Sequence, residues 1–129
     1  SIGLVGSEMC IRDSLSGGET TVRVTGHGIG GPNAHFALIL VDALSEEPGI
    51  SAIICDTDGV DGAAPVAGAY VDAETLAKAR FANLSYEDAV MNQDSHGFFT
   101  KLNQSVTPGP TGTNVNDFRA ILIEPEISN

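Results

Sequence analysis

The sequence predicts a single α/β domain in which a mixed, largely parallel sheet is flanked by helices. Three observations carry that expectation. Hydrophobic residues make up 42% of the 129, yet aromatics are only 5% and Trp is absent, so the core must be aliphatic, as in α/β interiors. Short β-branched runs bounded by turn residues alternate with stretches of helical period. The resulting order is strand, glycine loop, helix, strand, acidic loop, helices, strand, a rhythm in which helices cover the faces of a sheet.

Residues 1–14 follow neither period and do not begin with Met. They resemble the translated remnant of a sequencing adaptor and are set aside as a foreign leader, leaving residues 15–129 as the domain of a chain whose natural N-terminal part is missing. Ser16-Gly17-Gly18-Glu19 reads as a turn and Thr20 to Val24 as a strand. The glycine loop 26–31 leads through Pro32 into a helix to Leu44, whose apolar positions 36, 37, 40, 41 and 44 form a stripe that Leu38 and Ile39 widen. Glu46, Glu47, Pro48 and Gly49 end it.

Ile50 to Cys55, a β-branched run between turns, suits a central strand, and Gly68 to Val71 a further short one. Asp72 is placed to cap a helix reaching Arg80, with acid at its start and base at its end. Ser85-Tyr86-Glu87-Asp88 opens another helix with a capping-box variant, and a third starts near Asp94-Ser95. Val106 belongs to a short strand, and Phe118 to Ile123 forms the last.

The formal charge of −11 sets 17 acidic residues against six dispersed cations, Arg12, Arg23, Lys78, Arg80, Lys101 and Arg119. That balance repels nucleic acid phosphates and anionic lipid alike. No stretch approaches the ~20 apolar residues of a membrane span. Cys10 and Cys55 lack zinc spacing, and Cys55 sits in an apolar run as a buried thiol, which suits a reducing cytoplasm.

Three polar loops are the candidate site. In open α/β sheets ligands collect beyond the carboxyl ends of the strands, and loops 26–31, 56–62 and 109–117 are the candidates for that rim, although the last precedes a strand. Gly26-x-Gly28-x-x-Gly31 has dinucleotide-fingerprint spacing, but the acid due at the end of the second strand, Asp56, is used by the next motif, and Pro32 removes an N–H donor. General anion binding and a plain turn stand beside that reading.

Asp56-x-Asp58-Gly59-x-Asp61-Gly62 gathers carboxylates that a divalent cation or a hydroxylated substrate would relieve. The alternative is a loop whose Asp side chains bond its own backbone. Its glycine falls one place late for a calcium hand. Loop 109–117 packs hydroxyls, amides and a carboxylate between Gly109 and Asp117, shaped by Gly109, Pro110 and Gly112 to hold something polar or to make a surface turn. His27, His35 and His96 show no metal spacing, although His35, in the first turn of its helix, is placed to face a ligand.

Three of these segments, residues 16–21, 57–62 and 109–117, together with Asp94-Ser95-His96-Gly97-Phe98-Phe99, resemble the MOFRL domain in order and spacing. That domain is the C-terminal half of the type II glycerate kinases, some of whose members are named hydroxypyruvate reductases. The resemblance implies ATP-dependent phosphorylation of D-glycerate with Mg²⁺, in a cleft shared with a larger N-terminal α/β domain, so the chain alone is expected to be inactive. It implies Asp58 and Asp61 as catalytic residues and as ligands of metal or substrate hydroxyls. Glu19, Gly28, Gly30, Gly31, Asn33, Thr111, Gly112, Thr113, Asn114, Asn116 and Asp117 are implied as substrate- or nucleotide-binding groups.

One departure concerns the substrate. Many members have Arg-Asn-Gln-Glu where this chain has Pro32-Asn33-Ala34-His35, and proline cannot clamp a carboxylate or phosphate as arginine does. Another small hydroxy acid is therefore open. The alternatives are an NAD(P)-dependent hydroxypyruvate reductase and a non-catalytic binding module.

Overall fold

The computed structural model describes residues 3–5, 11–18 and 23–125. Its strands are β1 (Gly3–Val5), β2 (Ile11–Gly18), β3 (Ile50–Asp56), β4 (Gly68–Asp72), β5 (Ser105–Val106) and β6 (Asp117–Ile123). They form one sheet in the order β1-β2-β6-β3-β4-β5. The helices are α1 (Pro32–Leu44), α2 (Thr75–Phe81), α3 (Tyr86–Asn92) and α4 (Ser95–Lys101).

Every neighbouring pair in the sheet is antiparallel, which corrects the expectation of a largely parallel sheet. The reason lies in β6. Strands β2 and β3 are both antiparallel to β6, so they run parallel to each other, as a strand–helix–strand unit around α1 would have them. The last strand of the chain inserts between them and turns a parallel relationship into two antiparallel pairings. The connection from β3 to β4 returns without a crossover helix, so that pair is antiparallel too.

Helix α1 starts at Pro32, whose fixed φ suits a first helical turn and whose missing N–H is not needed there. Its buried Ala34, Ala37, Leu38 and Val41 pack on Ala52 and Ile54 of β3 and Ala69 and Val71 of β4. Leu76, Ala79, Ala89, Phe98 and Phe99 complete that core. The Phe98 and Phe99 rings meet edge to face at 5.2 Å, and the half-buried Tyr86 donates its hydroxyl to the Leu38 carbonyl at 2.8 Å. Full burial of each large side chain contributes about 1.5–3 kcal/mol.

Helices α3 and α4 are capped as expected: Ser85 accepts from the Asp88 N–H at 3.2 Å and Asp94 from the Gly97 N–H at 3.3 Å. At α2 the cap position falls to Glu74, while Asp72 accepts from the Glu74 N–H one turn earlier, at 2.9 Å. The expected turn at 16–19 is also corrected, because Ser16, Gly17 and Gly18 are paired with Arg119, Phe118 and Asp117. Strand β2 begins at Ile11 and runs across the expected boundary at residue 14. Of the strand expected at 20–24, residues 20–22 lie outside the described residues, as does Glu19, and Arg23 and Val24 have no regular structure.

Candidate functional site

Antiparallel pairing brings the polar loops to one end of the sheet. Asp56, at the carboxyl end of β3, lies opposite Asp117, at the amino end of β6. Loops 56–62 and 109–117 therefore leave the sheet side by side. The glycine loop joins them through the start of α1.

At the junction is a buried polar unit of Asn33, Asp61 and Asp117, exposed by 0%, 0% and 5%. The Asp61 carboxylate accepts the main-chain N–H of Asn33 at 3.0 Å and of Ala34 at 2.7 Å, so it fills the anion position at the helix N-terminus. The Asn33 side-chain amide donates to Asp61 at 3.1 Å and to Asp117 at 2.7 Å. One amide group thus bridges two carboxylates from different loops. Burial pushes the Asp61 carboxyl above its ordinary 3.8; the Ala34 and Asn33 hydrogen bonds pull the other way, and the nearby Asp117 adds to the rise. Burial also raises the thiol of Cys55, with Asp56, Asp61 and Asp117 adding to it.

Outside this unit loop 109–116 is exposed, Asp56, Thr57 and Asp58 are half-buried, and the two loops are bonded to one another. Asp58 accepts from the Val60 N–H at 2.8 Å, and Asp56 accepts from the Asp58 N–H at 3.1 Å. These are Asp side chains shaping their own loop, as one sequence reading had it. Thr57 ties in the closing loop: its N–H and its hydroxyl both donate to the Asn116 carbonyl, at 3.0 and 2.8 Å, and its hydroxyl accepts from the Val115 N–H at 2.8 Å. Thr111 donates its hydroxyl to the Thr57 carbonyl, and Asn114 accepts from the Asn116 N–H at 3.0 Å. Thr111, Gly112, Thr113, Asn114 and Asn116 are exposed, and beside Thr57, Val115 and Asp117 lies a shallow cavity of about 360 Å³.

The glycine loop is committed to packing. The Gly28 N–H donates to the Asn92 carbonyl at 2.7 Å, that of Ile29 to Asp94 at 3.2 Å, and that of Gly26 to the Gln93 side chain at 2.7 Å. A Cβ at Gly30 would collide with Ser95 Oγ, and one at Gly31 with the Asp61 main chain. These glycines allow close approach, and the amides of 26, 28, 29, 33 and 34 already have acceptors within the chain.

Gln93 escaped the sequence reading. Its side chain accepts from Thr25 at 2.6 Å as well as from Gly26, and donates to the Arg23 carbonyl at 2.8 Å, across some 70 residues of sequence. Nothing in local spacing announces such a pairing. Thr57, whose hydroxyl joins the two loops, was likewise hidden.

The donors present do not fit the triphosphate or the metal ion that a kinase resemblance implies. The amides of Gly26, Gly28, Ile29, Asn33 and Ala34 are occupied, and among the described residues no three His, Cys, Asp or Glu side chains are gathered to hold a metal ion. Both oxygens of Asp61 face α1. Asp58 keeps a partly exposed carboxylate at the rim.

An antiparallel sheet with one helical layer, bearing at one end a rim of polar loops tied by a buried amide, defines a small polar-site α/β module. The chain belongs to the MOFRL family, whose pattern residues 13–117 match. It is 40% identical over 103 residues to D-glycerate 2-kinase of Thermotoga maritima, a match covering 80% of this chain and 25% of that protein. It is 45% identical over 111 residues to an Agrobacterium vitis protein with the provisional name hydroxypyruvate reductase, covering 84% of this chain and 25% of that one. The crystal structure of glycerate kinase from Thermotoga maritima matches at a TM-score of 0.83 and 38% identity, over 86% of this chain and 27% of that chain. The chain spans about a quarter of the length of these relatives.

Proposed function

We propose that this chain forms one wall of the cleft in which a glycerate 2-kinase of the type II class transfers phosphate from ATP to D-glycerate or a related small hydroxy acid in the cytoplasm. The observation that carries the reading is the convergence of loops 56–62 and 109–117 at one rim, locked by Asn33 between Asp61 and Asp117, in a chain whose relatives include D-glycerate 2-kinase. Asp58 presents a partly exposed carboxylate, and Thr111, Thr113, Asn114 and Asn116 present exposed hydroxyls and amides, that suit a hydroxylated substrate. Asp61 and Asp117 hold the loops in register from beneath.

Cations and phosphate donors for ATP come, in this reading, from the part of the longer relatives that the chain does not match. Mg²⁺ would accompany the nucleotide there. The test is to join this chain to the first three quarters of the Thermotoga maritima kinase and assay ATP-dependent phosphate transfer. Transfer to glycerate or another small hydroxy acid is expected, and failure with every hydroxy acid tried overturns the reading. A nicotinamide-dependent reductase is the second reading, favoured by the name of the Agrobacterium vitis relative. The amides of Gly26, Gly28, Ile29, Asn33 and Ala34, already bonded within the chain, weigh against it.

A further inference from the structure

Among the described residues all four helices lie on one face of the sheet, and the register shows what the other face carries. Side chains alternate across a sheet. With Ala52 and Ile54 turned to the helices, Ile53 points away, and its partners in register, Ala120 of β6 and Tyr70 of β4, point away with it. Ala120 is in turn opposite Leu15 of β2. Leu15, Ala120, Ile53 and Tyr70 thus make one apolar row across four strands, with Leu122 beside it. Leu15 and Tyr70 are 48% and 39% exposed, and a groove of about 400 Å³ runs along the row.

The pattern along the strands agrees. Ala120-Ile121-Leu122-Ile123 and Ala52-Ile53-Ile54 are continuous apolar runs, whereas a strand with one wet face alternates apolar and polar residues. Continuous runs belong to strands covered on both faces. Across four strands at about 4.8 Å spacing the row spans about 14 Å, enough to seat one helix of about 10 Å diameter and the edge of another.

We propose that this face is a docking surface for a helical layer from the remainder of the longer glycerate-kinase polypeptide, amphipathic, with its apolar stripe on the Leu15–Tyr70 row. Charge favours that occupant over a second copy. The next row on the same face, Asp13-Leu122-Ser51-Asp72, carries a carboxylate at each of its two ends. A second copy would bring the same two carboxylates and a charge of −11 against itself, while a helix carrying Lys or Arg beside its apolar stripe would complement them. The proposal rests on the reading given under Proposed function for the existence of that polypeptide, and for nothing else.

The experiment compares acetylation of Tyr70 by N-acetylimidazole in the 129-residue chain and in the same chain joined to the first three quarters of the Thermotoga maritima kinase. Tyr86, half-buried under the helices, is the internal reference. Tyr70 is expected to react at least about fivefold more slowly in the joined protein while Tyr86 is unchanged; equal reactivity in both overturns the proposal. Sedimentation of the 129-residue chain alone is expected to show a monomer, and a dimer in which Tyr70 is already protected overturns the proposal in favour of a second copy. Leu15→Thr with Tyr70→Thr in the chain alone covers the case of a joined protein that does not fold. The melting temperature is expected to stay within about 3 °C, and unfolding would overturn the proposal by making the row part of this chain's own core. A joined protein with Tyr70 protected but no phosphate transfer sinks the kinase reading and leaves the docking surface standing.

Discussion

Asp61 accepts hydrogen bonds from both the main-chain and the side-chain nitrogen of Asn33, at 3.0 and 3.1 Å, although 28 residues separate them. Through that contact a carboxylate of the acidic loop occupies the helix N-terminus that the glycine-loop spacing offers to a phosphate. The same side-chain amide reaches Asp117 at 2.7 Å. Asn33 therefore decides whether two buried carboxylates are bridged or repel.

Asn33→Ala is expected to destabilise the chain by about 2–3 kcal/mol. Hydrogen bonds to charged groups are worth about 1.5–3 kcal/mol, and removing one partner leaves the other buried and uncompensated. Urea unfolding measures the loss. A change below about 0.5 kcal/mol, the size of an ordinary surface substitution, would remove Asn33 from its central role.

The pH dependence of stability should show the Asp61 carboxyl. Its folded value lies above the ordinary 3.8 because burial outweighs the hydrogen bonds from Ala34 and Asn33. The folded state then binds more protons than the unfolded one between 3.8 and the raised value, so this group's contribution is full below that window and is lost as pH rises through it. Asp56, raised chiefly by burial, acts with the same sign. In urea unfolding from about pH 4 to about pH 7, Asp61→Asn should therefore lose less stability with rising pH than the parent chain. An equal or steeper loss in the variant would contradict the assignment.

The elements were legible in the sequence where a local signal carried them. The helix α1, the β-branched run of β3, Ser85 and Asp94 as caps and the last strand all follow from spacing a few residues long, although the buried face of α1 is Ala34, Ala37, Leu38 and Val41 and the expected stripe positions Phe36 and Ile39 are exposed. Strand direction was not legible, because it turns on which strand β6 enters between, and β2 and β3 do run parallel on either side of it. The three loops of the site were found by composition, but their internal bonds were not. Asn33 meets Asp117 across 84 residues, and no spacing rule reaches that far.

Two glycine substitutions separate close packing from backbone freedom. A Cβ at Gly31 meets the Asp61 main chain, which cannot yield without moving the α1 N-terminus. Gly31→Ala is therefore expected to cost about 3 kcal/mol or more. Gly112 has a φ of +73° with open space around it, so Gly112→Ala carries only the left-handed backbone cost of about 1 kcal/mol. Unfolding midpoints in the reverse order would contradict the close approach of Gly31 to Asp61.

Thr57→Val tests how the closing loop is held. Valine keeps the shape but removes the hydroxyl that accepts from the Val115 N–H and donates to the Asn116 carbonyl. Two ordinary hydrogen bonds are lost at the surface, about 1 kcal/mol each at most. Amide exchange at Val115 should quicken by about fivefold or more while exchange in β3 and β6 changes far less. Unaltered exchange at Val115 would show that the loop is held by other contacts.

The chemical role of Asp58 can be separated from its structural one because its turn needs an oxygen and not a charge. The side chain accepts from the Val60 N–H at 2.8 Å, and the Asn amide oxygen can accept the same bond. Asp58→Asn should therefore keep the loop, with a melting temperature within about 2 °C of the parent. In the chain joined to the first three quarters of the Thermotoga maritima kinase, the same change removes the carboxylate that the proposed function sets at the rim. If that charge acts on the substrate hydroxyl, kcat should fall at least about tenfold, a loss of about 1.4 kcal/mol or more of transition-state stabilisation. Unchanged kinetics with unchanged stability would take the Asp58 carboxylate out of the reaction and leave it a turn residue alone.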